Sequence, residues 1–115
     1  MTKQEALVKA ADLLERSGWC RGVYHTVRAE NGALTDCYCA VGAIRKVTGH
    51  MACPDDSDAE RLAHDATDLA FYYVLQKVDW RNLSLVQFND NVATSKEQII
   101  DVFRKAAAYV ETDAD

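Results

Sequence analysis

The chain has 115 residues, of which 49% are apolar and 27% charged, a composition that indicates one globular domain and excludes wholesale disorder. The net charge is −5 and the basic residues are scattered, which argues against the clustered Lys and Arg of a nucleic-acid-binding protein. No apolar run approaches the ~20 residues of a membrane span, and residues 1–5 lack the apolar segment of a signal peptide. We therefore expect a cytoplasmic protein whose partners include neither nucleic acid nor membrane.

The N-terminal segment has the pattern of an amphipathic helix. Thr2 and Glu5 have the spacing of a capping box, and Gly18 is suited to end the helix. Between them, apolar residues recur at the spacing of one helical face. These inward positions are Ala6, Leu7, Ala10, Leu13 and Leu14.

A β-hairpin is predicted next, after a turn at residues 19–22. Residues 23–28 are rich in β-branched and aromatic side chains, and Asn31 followed by Gly32 is a strong signal for a type I′ turn. The return strand is expected at residues 33–35. Because an isolated hairpin is marginal in water, we expect it to pack on the helices.

Residues 37–44 are the expected centre of the fold, because they are dense in small side chains. Asp36 is suited to cap a helix there, and Gly49 is suited to end it. Small residues let another backbone approach closely, so we expect a second helix to cross this one at Gly42.

A long helix is predicted after the loop that contains the single proline. Ser57 and Glu60 repeat the capping-box pattern, and the helix should run to about Val78 with Asp65 and Asp68 on its solvent side. Its expected inward residues are Leu62, Ala66, Leu69, Tyr73 and Leu75.

In the C-terminal third, residues 83–88 can form a strand or a short helical turn, and we favour the turn. A break at 89–91 and a last helix with a capping box at 94–97 follow. Residues 106–108, beside Tyr109, form an apolar strip that a second copy of the chain can cover. The periodicity does not decide between a homodimer and a monomer. The expected inward residues of the last helix are Ile99, Ile100, Phe103, Ala107 and Val110.

These elements predict a mainly α fold, a compact single domain of about four helices with a small β-hairpin near residues 22–36. No internal repeat or linker divides the chain. Residues 1–110 are expected to form the globular helical domain, and residues 111–115 an acidic, solvated tail.

Three short motifs resemble those of a known family. They are Gly-Trp-Cys-Arg-Gly at 18–22, Cys-Ala-Val-Gly-Ala-Ile at 39–44, and Phe-Asn-Asp at 88–90 before the helix that begins near 94–100. Over about residues 5–107 the chain resembles the DUF6197-like proteins, a domain of unknown function found in small proteins of actinobacteria and their bacteriophages. In that family an aromatic residue, usually tryptophan, precedes the Asn-Asp pair, and here it is phenylalanine. The resemblance implies an actinobacterial or phage source and no particular activity.

A zinc-binding module is one alternative raised by the cysteines and histidines. Structural zinc sites favour ligand pairs about two to four residues apart in a turn, whereas Cys37 and Cys39 would point about 200° apart on a helix. We therefore expect no metal and no cofactor. The residues weighed as ligands are Cys20, Cys37, Cys39, Cys53, His25, His50 and His64.

A cysteine-dependent enzyme is the other alternative. Cys39 is expected near the start of a helix, where the dipole favours the thiolate. His25 or His64 would then serve as the base, oriented by Asn89. Free cysteines usually behave as small buried hydrophobic residues, and no signature of a thiol enzyme is present. We expect no enzyme, and Cys39, His64 and Asn89 are the catalytic candidates if there is one.

Our interpretation of the function is a protein-protein interaction module that acts on a host or self partner. It rests on the lack of a catalytic signature, a phosphate-binding loop or a basic stripe. Aromatic side chains dominate interface energetics. The candidate binding residues are Trp19, Trp80, Asn89 and Asp90.

Asn89 and Asp90 also carry a structural prediction. Phe88 should draw this segment onto the core, and a buried helix N-terminus needs acceptors for its four free N–H groups. We predict that Asn89 or Asp90 accepts hydrogen bonds from the backbone at residues 37–40, or braces the turn at 19–22. The alternative is an Asx-type turn that caps only its own loop.

Overall fold

The computed structural model of the protein describes residues 1–77 and 84–113, with the side chains of residues 1–29, 31–76 and 84–109. It confirms a mainly α fold with a small β element. The described residues hold five helices, because the turn predicted at residues 83–88 forms a short helix of its own at Leu85–Gln87. The elements are α1 (Lys3–Arg16), β1 (Gly18–Trp19), β2 (His25–Glu30), β3 (Ala33–Tyr38), α2 (Ala40–Thr48), α3 (Ser57–Lys77), α4 (Leu85–Gln87), a π-helical segment (Phe88–Val92) and α5 (Lys96–Asp113).

Helix α1 lies at the centre of the helical layer and packs against α2, α3 and α5. The Thr2 hydroxyl accepts a hydrogen bond from the Glu5 N–H and the Glu5 carboxylate accepts one from the Thr2 N–H, which confirms the capping box. The helix ends one residue before the predicted Gly18, with Ser17 as its C-cap. The five predicted inward residues are all buried: Ala6, Leu7, Ala10, Leu13 and Leu14.

The hairpin forms around the predicted turn. Asn31 and Gly32 have φ values of 52° and 80°, the positive φ at both central residues that a type I′ turn requires. Strand β2 pairs antiparallel with β3, and the two-residue β1 pairs parallel with the other edge of β3. The sheet order is therefore β1-β3-β2.

Asp36 does not cap α2, so that prediction is wrong. Strand β3 continues through Asp36 to Tyr38 because it has strands on both sides, and the Tyr38 carbonyl accepts a hydrogen bond from the Cys20 N–H (3.1 Å). Cys39 is the N-cap instead, and its Sγ accepts a hydrogen bond from the Gly42 N–H (3.3 Å). At the other end, Gly49 caps α2 as predicted.

The outer half of the hairpin does not pack on the helices, contrary to expectation. Every described side chain from residue 27 to residue 34 is exposed, whereas Cys37 and Tyr38 at the base of β3 are buried. The hairpin is anchored through its base and projects from the helical body.

Gly42 lies at a close backbone contact, but its neighbour is not the crossing helix that the sequence suggested. A Cβ at this position would lie 1.8 Å from the carbonyl oxygen of Tyr24, in the loop before β2. The same carbonyl accepts a hydrogen bond from the Cys39 N–H (3.2 Å). The loop backbone rests directly on the first turn of α2, and this contact fixes the base of the hairpin.

Two helices begin with a different cap from the predicted one. Asp56 rather than Ser57 caps α3, because its carboxylate accepts hydrogen bonds from two N–H groups of the first turn. Ser95 rather than Thr94 caps α5, because its hydroxyl accepts a hydrogen bond from the Gln98 N–H (3.4 Å).

The buried face of α3 differs from the prediction near its C-terminal end. Asp65 and Asp68 are exposed as expected, but Leu75 is 39% exposed. The inward face passes through Tyr73 and Val74, and the next residue along a helix points about 100° away from it. Val78, the expected end of this helix, lies outside the described residues.

The apolar strip predicted on α5 is mostly internal. Ala106 and Ala107 are buried, and Ala108 alone of the three is exposed. Helix α5 extends to Asp113, so the boundary expected at residue 110 falls inside it. Among the described residues, no helix combines the length and apolar character that a bilayer crossing requires.

Candidate functional site

Asn89 is the one polar residue that is buried among the described residues, with 0% exposure. Its Oδ1 accepts hydrogen bonds from the Ala40 N–H (2.9 Å) and from the Trp19 indole N–H (2.6 Å). Its Nδ2 donates to the carbonyl of Cys20 (3.1 Å). A single side-chain amide therefore bonds both the start of α2 and the turn after β1.

Helix α4 and the π-helical segment after it direct Asn89 inward. Helix α4 begins with a capping box between Ser84 and Gln87, and Phe88 is buried in the core. The break predicted at residues 89–91 is wrong, because a π-helical segment continues α4 through them. The segment closes where the Ala93 N–H donates to the Phe88 carbonyl (2.9 Å). A π-helical turn is wider than an α-helical one, and here the consecutive residues Phe88 and Asn89 are both buried.

The hydrogen bond to Ala40 satisfies a group that α2 cannot satisfy itself. The first four N–H groups of a helix have no partner within it. Ala40 is fully buried, where an unpaired N–H would cost about 1–3 kcal/mol. Asn89 accepts from Ala40 while the Cys39 thiol accepts from Gly42, so one distant residue and the adjacent N-cap residue together cap this buried helix start.

Asp90 braces the turn after β1 from its other end. Its Oδ1 accepts hydrogen bonds from the Gly22 N–H (3.0 Å) and from the Asn89 Nδ2 (2.9 Å). In the same turn, the Arg21 guanidinium lies over the Trp19 ring at 4.8 Å from its centre. The Arg21 guanidinium also donates a hydrogen bond to the carbonyl of Ala93, the residue after the π-helical segment.

These hydrogen bonds confirm the predicted link between residues 88–90, the turn at 19–22 and the start of α2. Asn89 bonds partners that lie 49 to 70 positions away in sequence, so the pair does more than close its own loop. We refer to this set as the motif junction. It consists of Trp19, Cys20, Gly22, Ala40, Asn89 and Asp90.

A cavity of about 370 Å³ opens beside the motif junction. It lies between the loop before β2, the start of α2 and helix α4. We call it the junction cavity. Its lining residues are Gly22, Val23, Tyr24, Cys39, Val86 and Asp90.

A second cavity, of about 270 Å³, adjoins the first because Tyr24 and Val86 line both. It is the more polar of the two, and we call it the histidine cavity. The Arg45 guanidinium lies 4.3 Å from the centre of the Tyr24 ring. The buried Nδ1 of His50 has no hydrogen-bond partner among the residues that the structure describes. The other polar lining residues are Glu60, His64, Thr67 and Asp68.

The candidate catalytic residues are not assembled into one site. Cys39 lines the junction cavity and His64 lines the histidine cavity, whereas His25 pairs with Asp36 on the hairpin (2.9 Å). Among the described residues no hydrogen bond joins the Cys39 thiol to either histidine. The Asn89 amide is bonded to backbone and indole groups, so it orients neither histidine.

Burial favours the protonated form of two of the thiols. Desolvation raises the pKa of Cys39 and outweighs the hydrogen bonds from the Gly42 and Val41 N–H groups, which lower it. The pKa of Cys20 is raised to about 11, first by burial and then by the neighbouring Cys39 and Cys37 thiols. Because the thiolate is the nucleophile, neither cysteine is poised to react at neutral pH.

The four cysteines are unpaired thiols, three of them buried and Cys53 exposed. Within residues 1–77 and 84–113, no group of three or more His, Cys, Asp or Glu side chains is placed to hold a metal ion. The zinc alternative therefore has no ligand set in this part of the chain.

The candidate binding residues lie in different environments. Trp19 is half-buried and its indole N–H is bonded to Asn89, which is itself buried and cannot touch a partner directly. Asp90 lines the junction cavity and is accessible from it. Trp80 lies outside the described residues.

Sequence reasoning missed most of the cavity wall. The sequence predicts Val23 and Tyr24 in the first hairpin strand, but they lie in the loop before β2. It predicts Val86 only as part of a helical turn. The signal in the sequence is Gly22, because glycine readily adopts a positive φ. Its φ is 81°, and β2 begins at His25, two residues later than predicted.

The fold and site define a mainly α protein in which the motif junction borders one cavity and a second cavity adjoins the first. The chain belongs to the Family of unknown function (DUF6197), whose model matches residues 1–109, and the resemblance seen in the motifs is thereby confirmed. Comparison with curated proteins and with solved structures found no match.

Replacing Asn89 should destabilise the protein more than replacing its neighbours. Asn89→Ala leaves several groups, including the buried Ala40 N–H, without partners at about 1–3 kcal/mol each, so we expect the free energy of unfolding to fall by at least ~3 kcal/mol. Asp90→Ala should cost only about 1 kcal/mol, because the exposed Gly22 N–H can bond to water. Urea unfolding measures the free energy of unfolding of both variants. Asn91→Ala, at an exposed position, is the matched control. Equal losses for Asn89→Ala and Asn91→Ala would contradict the role given to Asn89.

Cys39 should resist alkylation in the folded protein. Because burial raises its pKa, the thiolate fraction stays small at neutral pH and grows only as the pH rises. Iodoacetamide labelling followed by peptide mass spectrometry should modify the exposed Cys53 first, which serves as the internal control. Rapid labelling of Cys39 near neutral pH, with the fold intact, would refute this expectation and favour the enzyme alternative.

Proposed function

We propose that this protein is a protein-protein interaction module whose contact surface is the outer half of the β2–β3 hairpin. The observation that supports the proposal is the exposure of apolar side chains there. Leu34 is 79% exposed and Val27 is 48% exposed. Ala29 pairs with Leu34, and residues two apart along a strand share a face, so Val27, Ala29 and Leu34 lie on one face. Contiguous exposed apolar surface of this kind commonly marks an interaction site.

The backbone of the hairpin is also available for binding. Strand β2 is at the edge of the sheet, and among the described residues no strand pairs with its outer side. An extended segment of another protein can add to such an edge through main-chain hydrogen bonds, while the neighbouring side chains provide specificity.

The partner in this proposal is a different protein with a basic surface. Two copies of a chain of net charge −5 repel each other, whereas a basic partner is attracted and its association is accelerated. The partner is met in the cytoplasm of an actinobacterial or phage-infected cell, as the motif resemblance implies.

A photo-crosslinking residue at position 34 tests the proposal. In an actinobacterial lysate, p-benzoylphenylalanine in place of Leu34 should capture one defined protein. The same substitution at Val8 is the control, because Val8 is also apolar and 43% exposed but lies on α1.

The captured protein is then purified and its binding is measured by calorimetry. Leu34→Ser should weaken binding at least ~10-fold, as expected when a central apolar contact is lost, while Val8→Ser should bind normally. Unchanged affinity of Leu34→Ser would refute the proposal, and capture of a second copy of this chain would replace the basic partner by a homodimer.

A further inference from the structure

The Asp90 carboxylate is held in the wall of the junction cavity with one oxygen still available. Its Oδ1 accepts two hydrogen bonds, from Gly22 and Asn89, and these fix the position of the carboxylate. No hydrogen bond or ion pair of the described residues involves its Oδ2. Asp90 lines the cavity, so its carboxylate is a preorganised hydrogen-bond acceptor for a ligand that enters the cavity.

The rest of the cavity wall complements this carboxylate. Val23 and Val86 are apolar, and no lysine, arginine or histidine is among the described residues that line the cavity. Of the described arginines near the cavity, Arg21 lies over the Trp19 ring and Arg45 over the Tyr24 ring, and neither forms an ion pair with Asp90. The carboxylate therefore has no cationic partner from the described chain.

We propose that the junction cavity binds an alkyl chain that ends in an ammonium or guanidinium group, with Asp90 as its counter-ion. The alkyl stem packs on the Val23 and Val86 side chains, as the stems of lysine and arginine pack on apolar surface. The cationic end donates a charge-assisted hydrogen bond to Oδ2 of Asp90. A volume of about 370 Å³ lies within the range of small-ligand pockets. This site goes beyond the hairpin surface and does not depend on it.

The site is tested by titrating the ¹⁵N-labelled protein with n-pentylammonium and with agmatine, followed by NMR. Both probes should shift the backbone resonances of Val23, Val86 and Asp90 and leave those of the hairpin tip unchanged. The uncharged 1-pentanol has the same stem and should bind at least ~10-fold more weakly, because it lacks the charge-assisted hydrogen bond. Equal affinity for pentanol and pentylammonium would overturn the proposal, and so would the absence of shifts at the cavity.

Asp90→Asn is the decisive variant. The amide oxygen can still accept from Gly22, so the fold should be retained, and the affinity for pentylammonium should fall at least ~10-fold. Asp65→Asn removes the same charge from the exposed face of α3, outside the cavity wall, and should bind like the unmodified protein. Unchanged affinity of Asp90→Asn would contradict the site.

A second variant tests the site even if Asp90→Asn fails to fold. Val23 is 50% exposed, so Val23→Lys should fold and place an ammonium group of the protein's own at the cavity. It should therefore compete with pentylammonium and weaken its binding. If Val23→Lys binds pentylammonium as the unmodified protein does, the proposed counter-ion role of Asp90 is wrong.

Two sources can supply the cationic group, and a third probe distinguishes them. Acetyl-Ala-Arg-Ala-amide carries a guanidinium on a stem within a peptide chain, while agmatine carries it on a free small molecule. Binding of the peptide at least as tight as that of agmatine assigns the site to a basic side chain of a protein. Binding of agmatine alone assigns it to a small amine. If neither the peptide nor agmatine binds, the proposed site is wrong, and the hairpin proposal is unaffected.

Discussion

The hydrogen bonds of the buried Asn89 side chain hold together three segments that are far apart in sequence. Helix α2 begins inside the protein, where its first N–H groups have no water to bond. Asn89 satisfies one of them at Ala40 and bonds the Trp19 indole and the Cys20 carbonyl with the same amide. Because leaving such groups unpaired costs about 1–3 kcal/mol each, the small sheet, the start of α2 and the π-helical segment are fixed relative to one another.

Both proposed binding surfaces depend on this arrangement. The start of α2 receives the backbone of Tyr24 against Gly42, and that contact sets the direction in which the hairpin leaves the helical body. Asp90 follows Asn89 in the chain and is held by Gly22, so the same junction also presents a carboxylate to the cavity. The motif residues thus have a structural role, and they hold the two proposed binding surfaces in position.

The sequence was most informative where the structure is determined locally. The turn at Asn31 and Gly32 and the capping box of α1 depend on residues within a few positions of each other, and both were predicted. Asp36 has the residue type of a helix N-cap, but β1 pairs with β3 and the strand continues past Asp36. This pairing joins segments about 20 residues apart in sequence, which no local pattern reveals. The bond from Asn89 to α2 was predictable because a buried helix start requires an acceptor. The junction cavity was not, since its wall comes from three segments whose relative placement no local pattern encodes.

Hydrogen–deuterium exchange at the Ala40 amide, followed by NMR, measures the role of Asn89 most directly. Ala40 and Lys3 are both the first residue of a helix, but only the Ala40 N–H is buried and bonded to the Asn89 side chain. We expect the Ala40 amide to exchange as slowly as the amides of the protein core, through global unfolding. The Lys3 amide should exchange rapidly. If the Ala40 amide exchanges as fast as that of Lys3, Asn89 does not hold the start of α2, and the junction described above is contradicted.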